Sequence, residues 1–215
     1  MLILWAYKKE HCMFLRHCWG LRLKTQLFIG LLWVALVGCQ SDQTPGFIGT
    51  DLTGTQFGKP LALTDHHGTR RTMQAFAGKV VVLFFGYTHC PDVCPTTMTD
   101  LKKTMQLLGA QAKDVQVLFV TVDPERDTQE VLAQFVPGFD ERFLGLWGTP
   151  AEIAATLSEY KVYAAKVTEP GKAGYNMDHS AGLYVFDKTG APRIYMSYGE
   201  KPENIAHDLK LLLSN

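Results

Sequence analysis

The stretch KVVVLFFGY, residues 79–87, constrains the fold of this chain more than any other. Its apolar side chains occupy consecutive positions, so neither face of an extended segment could meet water. That is the pattern of a strand buried on both faces. A second such run, VQVLFVTV, follows at residues 115–122. Between them, Met98, Leu101, Met105 and Leu108 recur at helical spacing from Pro95 and stop at Gly109, which predicts a helix with a glycine end.

The alternation continues. Residues 127–136 predict a helix, 143–147 a short apolar piece, and Thr149-Pro150 an N-cap and first-turn pair opening a helix through Tyr160. AGLYVFD, residues 181–187, predicts a strand paired through a turn at 188–190 with residues 193–198, and residues 202–213 a closing helix. Ahead of the first buried strand, LALTDHHGTRRT, residues 61–72, predicts a hairpin turning at residues 66–68. Charged residues are 20% of the chain and its formal net charge is zero. With no basic run and scattered aromatics, nothing points to nucleic acid.

Residues 1–39 form an expected signal segment. Arg16, Arg22 and Lys24 precede an apolar run at residues 27–37, shorter than the roughly 20 residues that span a bilayer. The run ends in Leu36-Val37-Gly38-Cys39, which resembles a bacterial lipoprotein box and implies lipid on Cys39. An uncleaved N-terminal anchor is the alternative. Either reading places the remainder outside the cytoplasmic membrane, in the periplasm-facing cell envelope. Residues 40–55, polar and rich in Gly and Thr, read as a tether, and residues 56–215 as one domain. Cys12 and Cys18 fall in the signal segment, so Cys90 and Cys94 are the one cysteine pair of the domain.

These two lie directly after the first buried strand, in GYTHCPDVCPTT, residues 86–97. A redox pair, a structural disulfide and half of a metal site would each look like this. A helix N-terminus favours thiolate over thiol, and thiolates are soft ligands suited to Cu(I) and Zn. The element order resembles a thioredoxin-like fold: α/β, a central mixed sheet flanked by helices, here with an N-terminal hairpin extension. Thioredoxin-type redox enzymes use Cys-x-x-Cys; this chain has one residue more. Where such enzymes carry a cis-proline before their third central strand, this chain has NMDHS, residues 176–180, with His179. Two cysteines and an imidazole suit three-coordinate Cu(I), and Cu(II) with a further donor.

Three segments resemble the Sco/SenC family of copper-binding proteins: CPDVCP at residues 90–95, TVDPERDT at residues 121–128, and DHSAGLYVFD at residues 178–187. The resemblance implies copper held by Cys90, Cys94 and His179, and a role in assembling the dicopper centre of cytochrome c oxidase. It also implies a copper-receiving oxidase subunit, or another periplasmic copper carrier, as partner. A Cys90–Cys94 disulfide would make the same residues a membrane-tethered thiol–disulfide reductase, and His179 discriminates between the two. A peroxidase is weaker still, since it leaves His179 without a task.

The remaining candidates have plainer readings. His89 is expected beside the site rather than in it, and the His66-His67 pair in a solvated turn. Met98 and Met105 fit the core and Met177 a polar loop. Asp92 and Asp178 fit ligand orientation or ordinary solvation. Asp127 is expected to cap the helix that follows it, and Asp123 is open.

Overall fold

The computed structural model describes residues 46–214 except 57–60, 169 and 172–173. The signal segment with Cys12, Cys18 and Cys39, and the first part of the expected tether, lie outside the described residues. No helix among the described residues is long and apolar enough to cross a membrane.

The two buried runs are β4 (Val80–Gly86) and β5 (Val115–Thr121), and all seven positions of each are buried. They pair in parallel, from Val80 opposite Val115 to Gly86 opposite Thr121. Helix α1 (Val93–Leu108) crosses between them and buries Met98, Leu101, Met105 and Leu108, the stripe that the sequence marks out. Before these strands come β1 (Thr50–Asp51), β2 (Ala62–Asp65) and β3 (Arg70–Thr72). After them come α2 (Gln129–Phe135), β6 (Leu144–Trp147) and α3 (Pro150–Glu159), then β7 (Ala164–Val167) and β8 (Asn176–His179). The chain closes with β9 (Leu183–Phe186), β10 (Pro192–Met196) and α4 (Pro202–Leu213).

The main sheet runs β1-β10-β9-β4-β5-β6-β2-β3. Its centre is parallel, with β9 antiparallel to β4, and the expected hairpin β2–β3 joins through β6. Helices α1 and α4 pack on each other, α2 packs against β6, and α3 packs against β2. This is the expected thioredoxin-like architecture, a mixed α/β sheet flanked by helices. The start of α3 follows its sequence signal closely. Thr149 accepts from the Glu152 N–H, while the Glu152 carboxylate accepts from the Thr149 N–H, a capping box ahead of Pro150.

Three elements differ from expectation. The last residues of the stretch read as tether are part of the domain: β1 pairs with β10, and the Ile48 and Gly49 N–H groups donate to the buried Asp208 carboxylate. Helix α2 begins at Gln129 and its cap is Thr128, which accepts from Val131 N–H. Residues 176–179, expected in a polar loop, are β8, paired with β7 in a separate two-stranded sheet.

Candidate metal centre

The site lies where β4 ends. The backbone leaves the sheet after Gly86, turns through Tyr87, Thr88 and His89, and reaches Cys90, whose N–H donates to the Tyr87 carbonyl at 3.3 Å. Asp92 is the N-cap residue of α1, and Cys94 stands in the first turn. Cys94 is fully buried and Cys90 half-buried, and both are free thiols. The Cys94 N–H points at Cys90 Sγ, 3.4 Å away. Burial pushes the Cys94 thiol well above its ordinary range, and the proximity of Cys90 and of Asp127 adds to it. Cys94 therefore carries its proton at neutral pH.

His179 arrives from the other side, at the end of β8. Its Nδ1 lies 2.9 Å from the Ser180 carbonyl. A carbonyl can only accept, so Nδ1 carries the proton and a neutral ring has its lone pair on Nε2. That Nε2 is 3.8 Å from Cys94 Sγ. The Tyr87 ring meets the imidazole edge-on, with centroids 5.8 Å apart and planes at 86°. The fold thus brings Cys94 and His179 together across 85 residues of sequence, with Cys90 beside them. Among the described residues no three His, Cys, Asp or Glu side chains already stand in a coordination shell. Cys90 Sγ is engaged with the Cys94 N–H.

The other candidates fall around this centre. His89 is mostly exposed, with Nδ1 3.1 Å from Thr88 Oγ1 and 4.0 Å from Asp127. Asp92 accepts from the Thr96 hydroxyl at 3.2 Å, and Asp178 is exposed on β8. Met98 and Met105 are core residues, and Met177 packs against the core from β8. His66 is not solvated: it is 4% exposed, and its Nδ1 accepts from Gly145 N–H at 2.9 Å.

Asp127 is a clear correction. It is fully buried and caps nothing. Its carboxylate accepts from the Thr88 N–H at 3.0 Å, the Thr88 hydroxyl at 2.6 Å and the Thr121 hydroxyl at 2.7 Å. It therefore ties the turn carrying Cys90 to the end of β5. Burial raises its pKa against these bonds. Asp123, open in the sequence, is buried too. It accepts from the Arg126 Nε and, at 2.9 Å, from the Tyr175 hydroxyl. Arg126 forms the ion-paired turn expected of TVDPERDT, whereas Tyr87 and Tyr175 carry no signal in the sequence, because they lie in two segments that meet only in the fold.

The SCO1/SenC family model matches residues 49–214. The chain belongs to that family. It is 37% identical over 152 residues to the mitochondrial SCO2 homolog of Bos taurus, covering 70% of this chain and 57% of the relative. It is 33% identical over 136 residues to the SCO2-like protein of Rickettsia prowazekii, covering 63% and 66%. The chain therefore spans less than two thirds of the length of these relatives. Among solved structures it superposes on copper-bound ScoI of Bradyrhizobium japonicum with a TM-score of 0.67 and 40% identity, covering 73% of this chain and 99% of that one. Yeast Sco1 with copper bound gives a TM-score of 0.67 at 28% identity, covering 75% and 90%.

Proposed function

We propose that this chain is a copper metallochaperone, which takes up one copper ion through Cys90, Cys94 and His179 for the dicopper centre of cytochrome c oxidase. The observation that carries the reading is the 3.8 Å approach of His179 Nε2 to Cys94 Sγ, with the proton parked on Nδ1. A lone pair and a thiol already face each other, and the half-buried Cys90 stands beside them, its Sγ 3.4 Å from the Cys94 N. Two thiolates and an imidazole are a soft, low-coordinate set that favours Cu(I). Cu(I), two thiolates and a neutral imidazole together carry one negative charge. Relatives solved with copper bound support the same cargo. Lipid on Cys39 would hold the domain at the envelope membrane, facing the periplasm, where an oxidase subunit or a second copper carrier can meet it.

The test is a Cu(I) titration of the full chain in fully reduced and fully oxidised forms. The reduced protein is expected to take one ion per chain tightly. The Cys90–Cys94 disulfide form loses two ligands at once and should not. Cys94→Ala should abolish tight binding, and His179→Ala should weaken it by about tenfold or more, ~1.4 kcal/mol. Equal affinity of oxidised and reduced forms would reject the ligand set.

The difference in exposure between the cysteines favours one second reading. A half-exposed Cys90 backed by a buried Cys94 suits attack by the outer thiol and resolution by the inner one, a thiol–disulfide reductase. That activity should survive His179→Ala.

A further inference from the structure

His179 is carried by a hairpin that the main sheet does not hold. Among the described residues, strands β7 and β8 pair only with each other, and an isolated two-stranded ladder is marginal in water. Something else must fix the imidazole against Cys94, and Arg126 is placed to do so. Its guanidinium lies 3.8 Å from the centroid of the Tyr175 ring and 5.8 Å from that of Tyr87. Its Nε donates to Asp123 and its Nη1 to the Tyr175 carbonyl at 2.9 Å. The Tyr175 hydroxyl closes the loop by donating to Asp123. Tyr175 directly precedes β8, while Tyr87 stands three residues before Cys90 with its ring against His179. Lys166 of β7 adds to the clamp, 4.7 Å from the Tyr175 ring and paired with Glu125 at 2.6 Å. Among the described residues Arg126 Nη2 is buried with no hydrogen-bond partner, so the group is held between the rings against a desolvation cost.

We propose that Arg126, fixed by Asp123, is the positioning residue for His179: it clamps the β7–β8 hairpin onto the cysteine turn and so sets the imidazole as the third copper ligand. This rests on the ligand set proposed above. Losing the clamp lets the hairpin lift, leaving a two-thiolate site.

The experiment is a double-mutant cycle on the reduced full chain, reading Cu(I) affinity by chelator competition and nitrogen coordination by X-ray absorption. Arg126→Gln should weaken Cu(I) about five- to tenfold and diminish the imidazole signal. Arg126→Lys, which keeps the charge and loses the fork, should fall between it and wild type. Arg126→Gln combined with His179→Ala should bind within about twofold of His179→Ala alone, because both remove one ligand. Should Arg126→Gln fail to fold, Tyr175→Phe enters the same cycle and is expected to show a smaller loss of the same kind. Wild-type affinity and nitrogen signal in the clamp variant, with His179→Ala weakened, would overturn the clamp alone. Additive losses in the double variant would do the same. Wild-type affinity of His179→Ala would overturn the ligand set and the clamp together.

Discussion

At the scale of single residues, the site depends on one atom that is missing. A Cβ on Gly86 would stand 2.9 Å from Cys94 Sγ, 2.8 Å from Phe119 Cε2 and 3.1 Å from Phe84 Cε1. The two rings meet each other edge-on at 6.0 Å in the core that also holds Cys94, and the thiol is the smaller group and is expected to yield first. Gly86→Ala is expected to destabilise the protein by about 1–3 kcal/mol through overpacking. It should also expose Cys94 to alkylation in the native state, measurable as a rise in labelling rate that wild type does not show. Unchanged labelling with lower stability would mean that the rings move instead. The sequence made the cysteines legible because their types and spacing are chemical. It left Asp127 illegible as a support, since its partner Thr88 is 39 residues away. The carboxylate looked like a helix cap because it precedes an apolar stretch, and Thr128 does that work instead. The same limit hid His66, a buried ring whose partner, the Gly145 N–H, is 79 residues away.

Among the elements, those that satisfy themselves locally were readable. Strands β4 and β5 announce their burial in every residue, α1 in its 3–4 spacing, and α3 in a cap whose two bonds close within four residues. The β7–β8 hairpin was not. Its strands read AAKV and NMDH, with no buried position in either, so no period-2 apolar pattern exists to be seen. Strand β1 is two exposed residues whose pairing comes entirely from the β10 edge. The element start that sequence misplaced gives a test. Thr128 Oγ1 is 3.3 Å from the Val131 N–H at the mouth of α2. Thr128→Ala should cost about 1 kcal/mol in chemical denaturation. Asp127→Ala strands the Thr88 N–H and should cost about 2 kcal/mol or more. It should also loosen the cysteine turn, seen as faster disulfide formation in air, whereas Thr128→Ala should leave that rate unchanged. Equal effects of the two variants on the rate would deny Asp127 its role in the turn.

At the scale of the whole molecule, turns and chain ends are fastened by carboxylates, and acid is the reagent that tests them. Asp65 has a fully buried side chain at the β2–β3 turn and accepts from the Thr69 N–H at 2.8 Å, the His67 N–H at 2.9 Å and Arg71 Nε at 2.7 Å. Burial acts to raise its pKa, but the Arg71 guanidinium and the two N–H groups outweigh that and hold it below the ordinary carboxylate range. Asp187 at the β9–β10 turn is likewise lowered: burial opposes, and Thr189, Ala191 and Arg193 prevail. A carboxyl depressed in the folded state contributes stability that is fully present above its unfolded pKa, about 4. That stability is lost as pH falls through the folded value. Asp127 has the opposite sign. Its folded pKa is raised by burial, so protonation favours the native state and its share of stability grows as pH falls toward 4. The buried His66 works against it, because burial lowers its pKa and stability is lost as pH falls below about 6.5, where the unfolded chain takes up that proton. The steep loss set by the depressed carboxyls should come below about pH 4. Asp65→Asn should cost roughly 2–3 kcal/mol at pH 7, where charge-assisted bonds are lost. Its deficit against wild type should shrink below pH 4, because wild type then loses the same charge. Urea denaturation of both proteins at pH 7, 5, 4 and 3 gives the comparison, and a deficit independent of pH would show that Asp65 acts through shape rather than through its charge.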